Sequence, residues 1–341
     1  MLLLNPSDPN QKLKKIDMSV IDAIQAPFQT FRRYFKQMAP LFWGVSILPY
    51  YMGWAFASNK IYPTYVARIL LLPDPAPAQN MYLEMSVFLI GLIAIGPLLG
   101  GATILYNDFF DRSKDTHSRR KKHLPLLEGM LKPKSIYHLS IILFSLAFLF
   151  ALFVSLWFAL FILICIILSI VYSSPPLRLK ERAGLDLLTN AIASGIICTM
   201  AGWVIIRPIL EFPVLWGIIS FFGVGAIYVP TTIIDYEPDI KKGVTTIATY
   251  LGKRKAFYLG WSFVVLANCT IILMGLLHYI IPPKFLLFVW PIIIAEILSY
   301  WYYLRKLNFE GGYYAILVFS LLVAFGTGLI LFYNAGLLVI P

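Results

Sequence analysis

Long apolar runs, each near the ~20 residues a helix needs to cross a bilayer, recur along the chain between short polar segments. Nine stand out, at roughly 39–58, 84–106, 135–154, 156–173, 187–206, 212–234, 256–279, 285–303 and 313–338. They are too long and continuous for strands, and no period-2 alternation runs through them, which argues against an outer-membrane barrel. The pattern predicts an all-α polytopic membrane protein with nine transmembrane helices. Runs three and four are parted only near Ser155, so a tight antiparallel hairpin is expected there. Residues 1–38 are polar and basic, without the apolar core and cleavage site of a signal peptide. Within them, Val20–Met38 sets Ile21, Ile24, Phe28, Phe31 and Phe35 beside Arg32, Arg33 and Lys36, as an interfacial amphipathic helix does. The expected organisation is an N-terminal segment, 1–38, followed by a nine-helix domain, 39–338.

Composition agrees with the pattern. The 341 residues are 59% hydrophobic and only 13% charged, against roughly 25% charged in a soluble domain. The net charge of +11 suggests nucleic acid only if it lies on a water-exposed domain. Instead, 24 of the 28 Lys and Arg residues fall in the N-terminal tail and the loops after even-numbered runs, leaving Lys60, Arg68, Arg207 and Lys284 on the other side. By the positive-inside rule this places the N-terminus in the cytoplasm and the C-terminus outside. No nucleic-acid partner is expected. Cys165, Cys198 and Cys269 lie inside apolar runs and read as packing residues.

Acids at membrane depth or at its edge are costly and usually functional. Six of the 17 form two clusters. Asp108, Asp111 and Asp115 end run two, spaced to share one helical face. Asp235, Glu237 and Asp239 end run six, with Pro238 between the last two. Both clusters face the same side of the membrane, where they repel each other unless a cation lies between them. Oxygen ligands without His or Cys suit a hard ion such as Mg²⁺, which is typically held by one or two carboxylates plus substrate phosphates. Arg112, Lys114, Arg119, Arg120, Lys121 and Lys122 flank the first cluster and suit phosphate charge. A third segment, Tyr172 to Lys180, carries Pro175-Pro176, Arg178 and Lys180 toward the same mouth. The implied chemistry is activation of a diphosphate on a lipid-soluble substrate. The plainer alternatives are acids that neutralise nearby cations and an ordinary basic loop.

With Asn107 added, the first cluster reads NDxxDxxxD and the second reads DxxxD. Together with the YSxPPLRLK segment and the topology, the chain resembles the UbiA superfamily of intramembrane prenyltransferases over about residues 39–338. That resemblance implies a helical bundle around a central cavity with a cytoplasmic mouth. It implies Mg²⁺ held by Asp108, Asp111, Asp235 and Asp239 and bridged to a prenyl diphosphate, with Asn107 in support. Asp115 completes the first motif. Arg112, Lys114, Arg178 and Lys180 become candidates for the diphosphate oxygens, and Tyr172 for the neighbourhood of the allylic carbon. The implied partners are a prenyl diphosphate, a lipid-soluble acceptor and the membrane lipids.

The departures are specific. Leu124 stands where the family usually has Arg and Glu128 where it has Ser, and Glu237 is an additional acid, a metal contact or a partner of Lys241. The stretch from Asp235 to Gly252 looks most like members that prenylate carotenoids, followed by chlorophyll-type and archaeal-lipid members. The competing class is a cation-coupled transporter, which needs acids near span centres. Glu296 is the one such acid in this reading.

Overall fold

A computed structural model describes residues 26–63, 80–116, 123–279, 281 and 283–334. They are helical, with no strand among them. Helix α1 covers 26–37, inside the expected interfacial stretch, and leaves Phe28, Phe31 and Phe35 exposed; residues 20–25 of that expectation lie outside the described residues. A 3₁₀ turn, Pro40–Trp43, leads into α2, Gly44–Ser58. Then come α3, Met81–Asp115; α4, Pro133–Val154; α5, Leu156–Ser173; α6, Leu185–Trp203; and α7, Val214–Ile234. Two short helices follow, α8, Tyr236–Lys242, and α9, Ile247–Leu251. The described residues end on α10, Lys253–Leu276; α11, Pro283–Leu304; and α12, Phe309–Asn334.

Eight of these helices are long and apolar enough to cross a membrane: α3 to α7 and α10 to α12. The protein is an integral membrane protein. The ninth expected span, 39–58, takes a different form among the described residues. Its α-helical part has 15 residues, about 22 Å at 1.5 Å per residue, and the four-residue 3₁₀ turn that precedes it adds about 8 Å at 2.0 Å per residue, against the ~30 Å of the hydrocarbon core. The cause is local: Pro40 opens a tighter 3₁₀ turn, and Asn59, in the left-handed conformation at φ 55°, ends the helix.

The expected hairpin is present. Ser155 is the single residue between α4 and α5, and its side chain caps α5 by accepting from Phe158 N at 3.1 Å. In α3, Pro97 brings no N–H to the ladder, and the helix widens to a π-helical stretch over Ala94–Gly100 before resuming. A second such stretch, Ala191–Ile197, interrupts α6. Helices α2 and α6 meet backbone to backbone at Gly53 and Gly202. A Cβ on Gly53 would lie 2.0 Å from Thr199 O, and one on Gly202 would lie 1.9 Å from Tyr50 O. Small residues allow this approach where lipid supplies no hydrophobic drive between helices.

Candidate active site

The helices surround a cavity of about 1150 Å³, above the usual ~300–1,000 Å³ of ligand pockets. Its wall draws on α2, α3, α5, α6, α7, α10, α11 and α12. Asn107, Asp108, Asp111 and Asp115 line its mouth from α3, and Asp235 and Asp239 line it from the α7–α8 junction. Helical spacing accounts for the first set, because i, i+3 and i+7 share a face. In the second, α7 stops at Ile234 and α8 starts at Tyr236, yet Asp239 N donates to Asp235 O at 2.9 Å, so the turn survives Pro238. Both acidic motifs and Tyr172 therefore border one space.

The mouth is cross-linked by charge. Asp111 meets Arg178 Nη2 through Oδ1 and Lys180 Nζ through Oδ2, each at 2.7 Å. Lys180 also donates to Asn107 Oδ1 at 2.7 Å, and Ser173 Oγ donates to the same oxygen at 3.2 Å. Lys114 donates to Glu181 at 2.5 Å. Arg178 Nε lies 2.6 Å from Glu181 Oε1 but is out of line for a hydrogen bond, so that contact is electrostatic. Lys242 of α8 reaches Asp115 of α3 at 3.6 Å and joins the two motifs. Lys114 and Lys180 border the cavity, whereas Arg178 does not and supports Asp111 from behind.

Three expectations change. Arg112 is exposed and not on the cavity wall, because one residue past Asp111 turns it about 100° around a helix of 3.6 residues per turn. Glu237 is mostly exposed and pairs with Lys253 at 2.9 Å, not with Lys241, and it is not on the cavity wall. Arg119, Arg120, Lys121 and Lys122 lie outside the described residues.

Residues distant in sequence complete the arrangement. Gln37, fully buried, donates to Asp108 Oδ2 at 2.7 Å and accepts from Leu126 N at 2.9 Å. Asp186, also fully buried, accepts from Gly184 N at 2.8 Å and Ile247 N at 2.9 Å. Its Oδ2 also accepts from Tyr228 OH at 3.3 Å, and that hydroxyl lies 3.3 Å from Tyr172 OH. Sequence reasoning missed all three. Asp186 had a signal, an acid at a membrane edge, but starting the span at 187 left it in the loop.

The residues fit a hard divalent ion. The donors are carboxylate and carboxamide oxygens on two facing walls, the set such ions take. Among the described residues no three acids converge as a self-contained cage. Paired carboxylates that leave positions for ligand phosphates are the usual way Mg²⁺ is held.

The family model of the UbiA prenyltransferase family matches residues 60–311. The chain belongs to that family. Members of the UbiA family are prenyltransferases, so the match sets aside the transporter reading. A lycopene elongase/hydratase of Haloarcula japonica is 25% identical over 245 residues, 70% of this chain and 74% of that protein. The bacteriochlorophyll synthase 34 kDa chain of Chloroflexus aurantiacus is 24% identical over 168 residues, 49% of this chain and 54% of that one. A digeranylgeranylglyceryl phosphate synthase of Methanosphaera stadtmanae is 28% identical over 173 residues, 51% of this chain and 60% of that one. The chain thus spans little more than half the length of the last two. In fold it is similar to a UbiA homolog from Archaeoglobus fulgidus bound to GPP and Mg²⁺, with a TM-score of 0.68 at 22% identity, over 89% of this chain and 98% of that one.

Proposed function

We propose that this UbiA-family protein transfers a prenyl group from an allylic prenyl diphosphate to a lipid-soluble acceptor, with Mg²⁺ as cofactor. The observation that carries the reading is a single cavity bordered at one end by both acidic motifs and continuing among apolar side chains. The Archaeoglobus homolog, solved with GPP and Mg²⁺, supports it.

Asp108, Asp111, Asp235 and Asp239 would hold the ion, which when bound offsets charge on the departing diphosphate. Lys180 and Lys114, on the wall, take diphosphate oxygens not held by the ion. Arg178 acts by fixing Asp111, and Asn107 by fixing Lys180. As the allylic C–O bond breaks, positive charge develops on carbon. The ring of Tyr172, held through Tyr228 and Asp186, presents a π face of the kind that stabilises cations. The apolar wall beyond it keeps water from quenching the carbon before the acceptor attacks. The mouth faces the cytoplasm by the distribution of Lys and Arg.

For the acceptor, the carotenoid or polyisoprenoid class ranks first. The match to the Haloarcula protein is the longest of the three described, and the interior of the cavity is mainly apolar. Purified protein with Mg²⁺ and geranyl diphosphate is expected to release pyrophosphate when a lycopene-type acceptor is supplied. Asp108→Ala and Asp235→Ala should each abolish release in protein that still folds. Release that persists in both variants, or under chelation, would sink the assignment.

A further inference from the structure

Helix α1 is seated on the bundle by its last turn. Gln37, fully buried, donates to Asp108 Oδ2 and accepts from Leu126 N. Tyr34 and Met38 pack beside it on Leu105, Leu126, Leu131 and Ile136. Every residue from 26 to 33 is exposed. At about 100° per residue, three sides follow one another around the helix. Gln37 and Tyr34 make the seated side. Next to it run Phe31, Phe35 and Phe28, which are 64%, 44% and 69% exposed. Phe31 stacks on Phe35, and Phe35 meets Trp43 edge-on where α2 begins. Beyond the rings come Arg32 and Lys36, then Arg33, all exposed. Lys132 and Lys134, between Leu131 and Ile136 of the cluster that receives Tyr34, are exposed as well. Among the described residues, no carboxylate pairs with any of these five cations.

Most of the stability of a helix comes from packing an amphipathic face, and the bundle packs only one side of α1. Water would leave the three rings unburied, and hydrocarbon alone would strand the cations. A bilayer surface satisfies both sides at once, with aromatic rings entering at the acyl boundary and Lys and Arg staying at the level of the phosphates. The height of α1 fits that surface. Its last residue bonds Asp108 where α3 passes from its apolar stretch into the acidic motif. Cations without carboxylate partners favour negatively charged headgroups over zwitterionic ones. Each Lys or Arg held near an anionic surface strengthens attachment about fivefold.

We propose that α1 and the start of α4 form a docking surface for anionic phospholipids of the bilayer, and that their engagement secures the mouth through Gln37. This does not depend on the prenyl-transfer reading. Gln37 joins the surface to Asp108, so lipid that holds α1 in place also holds that bond.

The test uses the full chain in lipid vesicles, with a bimane fluorophore on Gln29→Cys, an exposed position that falls beside Lys36 around the helix, in a Cys269→Ser background. Quenching is read from phospholipids that carry a nitroxide near the headgroup. At low salt, labelled phosphatidylglycerol should associate at least about fivefold more strongly than labelled phosphatidylcholine. Salt at ~1 M, where charges are screened within about 3 Å, should remove that preference. Combining Arg32→Gln, Arg33→Gln, Lys36→Gln, Lys132→Gln and Lys134→Gln should remove it at low salt. The unsubstituted surface should also melt higher in phosphatidylglycerol vesicles than in phosphatidylcholine, and the five-Gln variant should not.

Equal quenching by the two lipids on the unsubstituted surface overturns the proposal, as does a preference that survives in the variant. The first comparison decides by itself if the variant does not fold. Quenching by neither lipid would set α1 against a protein partner or a second copy, and would overturn it too. Displacement of phosphatidylglycerol by inorganic pyrophosphate at constant ionic strength would assign the cations to a substrate's diphosphate, with the same result. Equal melting in the two lipids, with the quenching preference intact, would overturn the link to the mouth.

Discussion

Gln37 Nε2 donates a 2.7 Å hydrogen bond to Asp108 Oδ2 across 71 residues of sequence. Through it, the helix at the membrane edge governs the first carboxylate of the NDxxD motif. The same side chain accepts from Leu126 N, so one carboxamide ties α1, α3 and the loop after α3 together. Gln37→Leu removes both bonds and strands a buried N–H, a loss of about 1–3 kcal/mol. The expected outcome is a lower melting temperature and a several-fold higher Mg²⁺ requirement for pyrophosphate release. A Mg²⁺ titration of the variant checks this, and an unchanged half-saturation would count against the coupling.

Asp111 faces two cations, and its side chain is 15% exposed, with Arg178 at 19% and Lys180 at 10%. Removing one partner of a buried pair typically costs 3–5 kcal/mol because the charge left behind is uncompensated. Asp111→Ala is therefore expected to lose both activity and stability. Arg178→Met should mainly lower stability, since Arg178 stands off the cavity. Lys180→Met should lower stability as well and, because Lys180 also borders the cavity, raise KM for the prenyl diphosphate. Melting curves and steady-state kinetics on the three variants separate these effects.

How much of this was legible beforehand follows from the range of each interaction. The carboxylate face of α3 is a local periodicity, so Asp108, Asp111 and Asp115 could be placed together from spacing alone. The same periodicity turns Arg112 away. The Ser155 hairpin and the grouping of the two motifs at one end follow from span lengths and alternation. Gln37, Asp186 and Tyr228 could not be read in this way. Their partners are 71, 61 and 42 residues distant, and no local pattern encodes a contact of that separation. In the first span, hydropathy counts apolar residues without registering that Pro40 and Asn59 shorten the α-helical part.

Asp186 is a positioning residue. Its carboxylate satisfies two backbone N–H groups and the hydroxyl of Tyr228, which stands 3.3 Å from that of Tyr172. Asp186→Ala strands both N–H groups, at about 1–3 kcal/mol each, and releases the tyrosine pair. It should lower both melting temperature and kcat. Tyr228→Phe removes only the link to Tyr172 and should reduce kcat with a much smaller change in melting. If the two variants affected kcat and stability in equal proportion, the link through Tyr228 would have no separate role.

Backbone contact between α2 and α6 makes a purely steric prediction. Gly53→Ala or Gly202→Ala drives a methyl group to about 2 Å from a carbonyl oxygen, so the helices must part. Overpacking in a tight interior costs typically 1–3 kcal/mol and occasionally more. Each variant should melt well below the wild type in detergent. Gly223→Ala, where an added Cβ meets nothing within 4 Å, is the matched control and should melt close to it.

A cytoplasmic mouth is the expectation set by the uneven distribution of Lys and Arg between the two ends of the bundle. At the end away from the mouth, Lys60 pairs with Glu84 at 3.3 Å. Arg207 donates to Ala57 O at 2.8 Å and lies 3.5 Å from Glu211. The mouth end carries most of the Lys and Arg residues, so the positive-inside rule predicts that it faces the cytoplasm. Ser113, exposed at the mouth, and Asn59, exposed at the opposite end, report the two faces. In intact cells, a membrane-impermeant maleimide should label Asn59→Cys directly and Ser113→Cys only after permeabilisation. Cys165 and Cys198 are buried, and Cys269, within the apolar stretch of α10, is replaced by Ser in the background used. The reverse labelling order would invert the orientation and move the acidic mouth to the outer face.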